Sequence, residues 1–242
     1  MQDFLMKRML IISILITLLI VPLLHAQILE HGFREDFETL ASWKPLTFPK
    51  IPRHSAYSIL KEDGKSMLVA VADNSASGLI YTKSFNIYQT PIIRWKWRVS
   101  NIFQAGDAKK KSGDDYPLRI YVVFKYDPQK ASLFEKARYN TAKLIYGEYP
   151  PHSSLNYIWA NKKHSERILP NTYTAKAQMI LLQKGPERAG QWVEERVNAL
   201  DDYRKAFGAN PPVQASLAIM ADADNTGEKA TGNVEYIEVS TR

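Results

Sequence analysis

The chain has 242 residues, no cysteine and a formal net charge of +7 at pH 7. The lack of cysteine excludes a disulfide framework, a thiolate metal site, a cysteine nucleophile and the lipidated cysteine of a bacterial lipoprotein. The basic residues are dispersed, which is typical of a solvated surface and is also compatible with attraction to anionic glycans or membranes. No nucleic-acid-binding motif accompanies this charge, so we expect no nucleic acid partner.

The first residues predict an export signal. Lys7 and Arg8 precede an apolar stretch at residues 9–24, and Ala26 follows as a small residue before a cleavage point. A basic start, an apolar core and a small exit residue are typical of a secretory signal peptide. An uncleaved membrane anchor is the less favoured alternative, because the stretch is shorter than the roughly 20 residues of a spanning helix and Pro22 interrupts its end.

We therefore expect residues 1–26 to be a signal peptide and residues 27–242 to form a single domain. That length is sufficient to bury a core without covalent cross-links. No second apolar run of spanning length follows. The sequence thus predicts a periplasmic or secreted protein without a membrane span after cleavage, and it does not indicate an oligomeric state.

Most of the domain alternates apolar and polar residues with the period of two that is typical of strands. Residues 66–73 and 78–85 predict an early hairpin. Further strands are predicted, in chain order, at residues 92–100, 118–126, 154–160, 173–183, 213–221 and 233–240.

Helical patterns interrupt this series twice. Residues 129–147 predict a helix that Gly147 ends, and a shorter helix begins after Asn198 as N-cap and stops at Gly208. Many strands with only two helices predict an all-β fold, namely a jelly-roll-like β-sandwich with one or two inserted helices.

Residues 219–227 (IMADADNTG) combine candidate metal ligands with turn residues. Asp222, Asp224 and Thr226 occupy alternate positions, as in a helix–loop–helix calcium loop. Asn233 stands where the closing carboxylate of such a loop belongs, and the flanks are strands, so that type of loop is excluded. Two interpretations stay open: a structural calcium site with Asp222 and Asp224 as ligands, or a polar turn.

Two adjacent carboxylates, Asp114 and Asp115, precede the strand that contains Arg119. Such a group can form a metal site, an acid–base pair or a clamp for a sugar, and the alternative is a loop with solvated charges. Neighbouring strand residues point to opposite faces. We therefore expect one carboxylate, Asp115 paired with Arg119, to serve a site.

Aromatic residues on the predicted strands suit either a core or the face of a sugar ring. Trp95 and Trp97 share an apolar face, which favours the core. Tyr157 and Trp159 share another such face, where the core is again favoured and stacking on a ligand is the alternative.

Hydrolase signatures are weak. The histidines are scattered without ligand spacing, and no nucleophile-elbow motif is present. A glycosidase pair of carboxylates stays open, because its spacing is spatial and not sequential.

Six motifs follow one another along the domain: SASGL (75–79), WKWRV (95–99), GDDYPLRIYVVF (113–124), NYIWA (156–160), DDYRKAFG (201–208) and MADADNT (220–226). From about residue 33 to residue 239, the chain resembles the exported bacterial domain-of-unknown-function family 3047. The resemblance implies an exported single domain and no established activity. More loosely, both ends of the domain resemble jelly-roll carbohydrate-binding modules, whose first and last strands meet near a structural calcium.

The leading functional prediction is non-catalytic binding of a cell-envelope glycan, with calcium as a structural ion. The expected ligand-binding residues are Asp114, Asp115, Arg119, Tyr157, Trp159 and Asn225, beside the metal ligands Asp222 and Asp224. The alternatives are a polysaccharide hydrolase or lyase that uses Asp115 or Asp222 as acid or base, and a structural envelope protein.

Overall fold

The computed structural model of the protein describes residues 28–29, 31–146 and 149–241. The predicted signal peptide and Gly147 lie outside these residues. In chain order the elements are β1 (Ile28–Leu29), β2 (Phe33–Glu35), β3 (Trp43–Leu46), β4 (Ala56–Glu62), β5 (Lys65–Asp73), β6 (Ala76–Tyr81), β7 (Ser84–Asn86), β8 (Ile92–Val99), β9 (Tyr116–Phe124), α1 (Leu133–Tyr146), β10 (Ser153–Ala160), β11 (Ile168–Pro170), β12 (Ala177–Lys184), β13 (Val193–Asn198), α2 (Ala199–Phe207), β14 (Gln214–Asp222) and β15 (Lys229–Ser240).

The strands form two sheets, and the predicted β-sandwich is confirmed. The nine-stranded sheet has the order β1-β7-β14-β9-β10-β12-β11, with β6 also paired to β14 and β3 paired to β6. The six-stranded sheet has the order β13-β8-β15-β5-β4, with β2 added on β15. Neither helix in the described ranges is long and apolar enough to cross a membrane.

Aromatic rings from both sheets meet in the core. Trp95 and Trp97 on β8 are fully buried, as the alternation of that strand predicts. The Trp95 ring packs on that of Tyr157 with centroids 5.4 Å apart, and the Trp97 ring packs on that of Trp159 at 5.7 Å. Large rings of this kind bury much apolar area and favour tilted contacts, so these pairs join the inner faces of the two sheets.

The predicted hairpin of residues 66–73 and 78–85 is wrong. Its two strands belong to different sheets, because β5 pairs with β4 and β15, whereas β6 pairs with β14 and β3. The chain crosses between the sheets at Asn74, whose φ is 46°. The Ser75 hydroxyl then accepts a hydrogen bond from the Asp73 backbone N–H at 3.0 Å. Alternation assigns side chains to faces, but it does not identify the neighbouring strand.

The shorter helix has the ends that its sequence predicts. The Asn198 side chain accepts a hydrogen bond from the Asp201 backbone N–H at 3.1 Å, and Gly208 adopts the left-handed conformation with φ 65°. The helix packs on the sandwich through Tyr203, whose ring lies 4.5 Å from that of Phe124.

Asn198→Ala tests this cap. We expect the free energy of unfolding to fall by about 1 kcal/mol, because the first turn of α2 loses its side-chain acceptor. Urea denaturation measures the change. Asn198→Asp keeps an acceptor oxygen and serves as the matched control, so an equal loss in both variants would contradict a capping role.

Candidate functional site

The outer face of the nine-stranded sheet carries the polar residues that the sequence singled out. Along β9, Leu118 and Ile120 point into the core, so Arg119 and Tyr121 point outward. The central strands β14, β9 and β10 form a floor of outward side chains: Ser216, Ala218, Met220, Asp222, Arg119, Tyr121, Val123, Ser154 and Asn156.

Two adjoining cavities, of about 440 and about 590 Å³, lie over this floor. Both are lined by Phe48, Tyr121, Ser154 and Met220, so they form one continuous groove. The loop after β3 supplies Phe48 and Ile51 beside one edge of the floor. Across the floor, the groove is lined by residues 149–151 before β10 and by Asn171 and Tyr173 between β11 and β12.

A buried ion pair forms the charged end of the groove. The Nε atom of Arg119 donates to Oδ1 of Asp222 at 2.9 Å, and its Nη2 atom contacts Oδ2 of the same carboxylate. Arg119 and Asp222 are only 4% and 2% exposed. Nη1 of Arg119 lies 3.6 Å from Oδ1 of Asp114, whose Oδ2 accepts from the Asn171 side chain at 3.1 Å. A bidentate guanidinium–carboxylate contact fixes geometry as well as charge, so Arg119 links β9, β14 and the loop before β9.

Asp115 has a different environment from the one predicted. Arg119 pairs with Asp222 and Asp114, so the expected Asp115–Arg119 pair is wrong. Strand β9 begins at residue 116, and the alternation rule does not apply to the loop before it. The Oδ2 atom of Asp115 accepts a hydrogen bond from the Thr226 backbone N–H at 2.6 Å, whereas Oδ1 is buried with no hydrogen-bond partner in the described part of the chain. Burial raises the pKa of Asp115, and the hydrogen bond from the Thr226 backbone opposes the rise.

The turn between β14 and β15 adds Asp224 and Asn225 to the same end of the groove. One carboxylate oxygen each from Asp115, Asp222 and Asp224 lie within 4.8 Å of one another. The two acidic segments that are separate in sequence are thus neighbours in space. Oxygen donors alone, with no imidazole among them, suit a hard cation such as Ca²⁺.

The assignment of Tyr157 and Trp159 to a ligand-stacking surface is wrong. Both side chains are fully buried between the sheets. The Tyr157 hydroxyl donates to Asp202 at 3.1 Å, and the Trp159 indole N–H donates to the Gly185 carbonyl at 3.2 Å. Rings without exposed surface cannot stack on a sugar, so the core interpretation applies to both.

Several groove residues lack a sequence signal. Phe48, Asn171 and Tyr173 lie on loops without a motif. Tyr121 is the exception, because alternation places it on the same face as Arg119. Its hydroxyl donates to the sulfur of Met220 at 3.5 Å, which joins β9 to β14 across the floor.

Residues 41–238 match the family described as Protein of unknown function (DUF3047), and the chain belongs to this family. Among curated proteins, none matches the sequence.

Solved structures with similar folds include carbohydrate-binding proteins and an enzyme. A family 11 carbohydrate-binding module from Clostridium thermocellum, in complex with a β-1,3-1,4-mixed-linked tetrasaccharide, is 10% identical with a TM-score of 0.39 and covers 88% of this chain and 96% of its own. A Bauhinia forficata lectin in complex with GalNAc is 9% identical with a TM-score of 0.42, and the match covers 88% of this chain and 100% of the lectin chain. The Crh5 transglycosylase in complex with NAG is 9% identical with a TM-score of 0.42, and the match covers 89% of this chain and 86% of the transglycosylase chain. Similarities at this level do not indicate a ligand for this chain.

Arg119→Met tests the buried ion pair. We expect the free energy of unfolding to fall by about 3–5 kcal/mol, because Asp222 and Asp114 would remain buried without their cation. Urea denaturation measures the loss. Lys61→Met removes the cation of the exposed Lys61–Glu38 pair and is expected to leave stability nearly unchanged. Equal losses in the two variants would contradict a special role for Arg119.

Proposed function

We propose that this member of the DUF3047 family is a non-catalytic binding protein for a glycan of the bacterial cell envelope, and that the groove is its binding site. The observation that carries the proposal is a continuous groove on a sheet face, lined by both aromatic rings and polar side chains. Ligand sites combine apolar contact area with a few polar groups that fix orientation.

The groove offers the two kinds of contact that a sugar requires. Phe48 and Tyr121 are half-buried, and Tyr173 is 58% exposed at the rim, so these rings offer apolar faces. Asp224 and Asn225 lie beside them with carboxylate and amide groups that hydrogen-bond to hydroxyls. An extended oligosaccharide suits a groove of this kind because its rings present flat apolar faces and its hydroxyls point outward.

The buried carboxylates favour binding over hydrolysis. Both carboxylate oxygens of Asp222 are held by Arg119, and Asp115 has no exposed surface. A general acid or base must come within hydrogen-bond reach of its substrate. Asp222 lines the groove with both oxygens engaged by Arg119, and Asp115 is buried, so neither residue offers a free carboxylate for acid–base catalysis.

The proposal that the protein acts in the cell envelope is based on the predicted signal peptide at residues 1–26. A secretory signal would deliver the domain to the periplasm or the exterior, where glycans are abundant. The net charge of +7 is favourable for binding anionic envelope polymers.

Tyr121→Ala tests the proposal. We expect the affinity for an envelope oligosaccharide to fall about tenfold or more, because an aromatic ring central to a binding surface contributes more than ~1.4 kcal/mol. The wild-type domain is first applied to an array of peptidoglycan fragments, lipopolysaccharide core oligosaccharides and capsular oligosaccharides. Titration calorimetry then compares the variants on the ligand found.

Trp192→Ala is the matched control. Trp192 is a half-buried aromatic just before β13, beside the other sheet, and its ring centroid lies 4.7 Å from the guanidinium carbon of Arg98. We expect this variant to keep wild-type affinity. Absence of any ligand on the array, or an equal loss in both variants, would overturn the proposal. Release of shortened products from a bound glycan would instead assign the groove to an enzyme.

A further inference from the structure

Three carboxylates lie together beside the groove, and the neighbouring cationic side chains do not neutralise all of their negative charge. Asp115 lies before β9, Asp222 ends β14, and Asp224 lies in the following turn. One oxygen of each lies within 4.8 Å of the others. Two oxygens bound to one Ca²⁺ at about 2.3–2.6 Å are separated by at most about 5 Å, so this spacing fits a shared ion.

Asp115 provides a second, independent observation. Its side chain is fully buried, yet among the described residues its Oδ1 atom has no hydrogen-bond partner, and the buried hydroxyl of Thr226 has none there either. Buried polar atoms are nearly always paired, and an exception requires an explanation such as a bound ion. Carboxylate and hydroxyl oxygens are ligands that Ca²⁺ accepts.

The nearby cation, Arg119, compensates only one of the three carboxylates, Asp222. The ion pairs of Arg119 go to Asp222 and Asp114. In the part of the chain that the structure describes, neither Asp115 nor Asp224 has an ion-pair partner within 4 Å.

We propose that Asp115, Asp222 and Asp224 bind one Ca²⁺, with the Thr226 hydroxyl as a further ligand. The ion joins the turn after β14 to the loop before β9. The turn is also held by hydrogen bonds from the Gly227 N–H to the Ala223 carbonyl and from the Thr226 N–H to Asp115. This site differs from the structural calcium of jelly-roll carbohydrate-binding modules, which lies near the meeting point of the first and last strands; here β2 pairs with β15 in the other sheet. Binding of the ion does not depend on a bound glycan.

Asp224→Asn is the informative variant. Asp224 is half-buried, so its substitution is compatible with folding. Thermal unfolding is measured for the wild-type protein and the variant in EDTA, in millimolar CaCl₂ and in millimolar MgCl₂. We expect CaCl₂ to raise the wild-type melting temperature by several degrees and EDTA to reverse the shift. Calorimetric titration with CaCl₂ should show one ion per chain and at least an approximately tenfold weaker affinity for the variant.

The melting temperature in EDTA separates a metal ligand from a turn residue. Without the ion, Asp224→Asn should melt at or above the wild-type temperature, because the substitution removes repulsion from Asp115. Asp63→Asn, in the exposed turn between β4 and β5, is the matched control and should respond to CaCl₂ as the wild type does. No wild-type response to CaCl₂, an equal response in Asp224→Asn, or a response to MgCl₂ alone would each overturn the proposal.

Discussion

The site depends on one buried ion pair, that of Arg119 with Asp222. Strands β9 and β14 are neighbours in the nine-stranded sheet, and a register shift between Met220 and Asp222 places Asp222 opposite Tyr116. The Tyr116 backbone N–H donates to Asp222 at 3.2 Å, which adds a third contact to that carboxylate. A charge buried this deeply is tolerated only when it is paired and hydrogen-bonded. The pair therefore fixes the relative position of the two strands where the groove begins.

The same pair makes the groove chemically asymmetric. One end contains Arg119 and the carboxylates around it, whereas the other end is lined mainly by apolar and aromatic side chains such as Ile80, Val123 and Tyr149. Polar groups held in place by the fold bind a ligand without having to be ordered first. The two ends of the groove therefore offer different contacts, charged groups at one end and apolar and aromatic side chains at the other.

The sequence patterns predict which face of a strand a side chain occupies, and which segments carry the polar site residues, better than they predict which strands and residues pair with one another. Alternation assigned Trp95 and Trp97 to the core, and the polarity of residues 113–124 and 220–226 indicated the site. The partner of Arg119 was not predictable, because Asp222 is 103 residues away and strand order is decided by the packing of whole sheets. The prediction for Asp115 is wrong because it applies strand alternation to the loop before β9, and periodicity is weakest at element boundaries. Phe48 and Asn171 carry no pattern at all, since loops follow the geometry of the elements they join.

The proposed ion and the proposed glycan would act on one wall of the groove. Asp224 and Asn225 are adjacent in the turn after β14 and line the same cavity. An ion held by Asp224 restricts this turn, so the position of Asn225 in the wall depends on whether the ion is bound. Linkage is reciprocal: if Ca²⁺ strengthens glycan binding by some factor, the glycan must strengthen Ca²⁺ binding by the same factor. Because Arg119 is engaged by Asp222 and Asp114, this coupling must act through the turn and the charge of Asp115 and Asp224, and not through movement of Arg119.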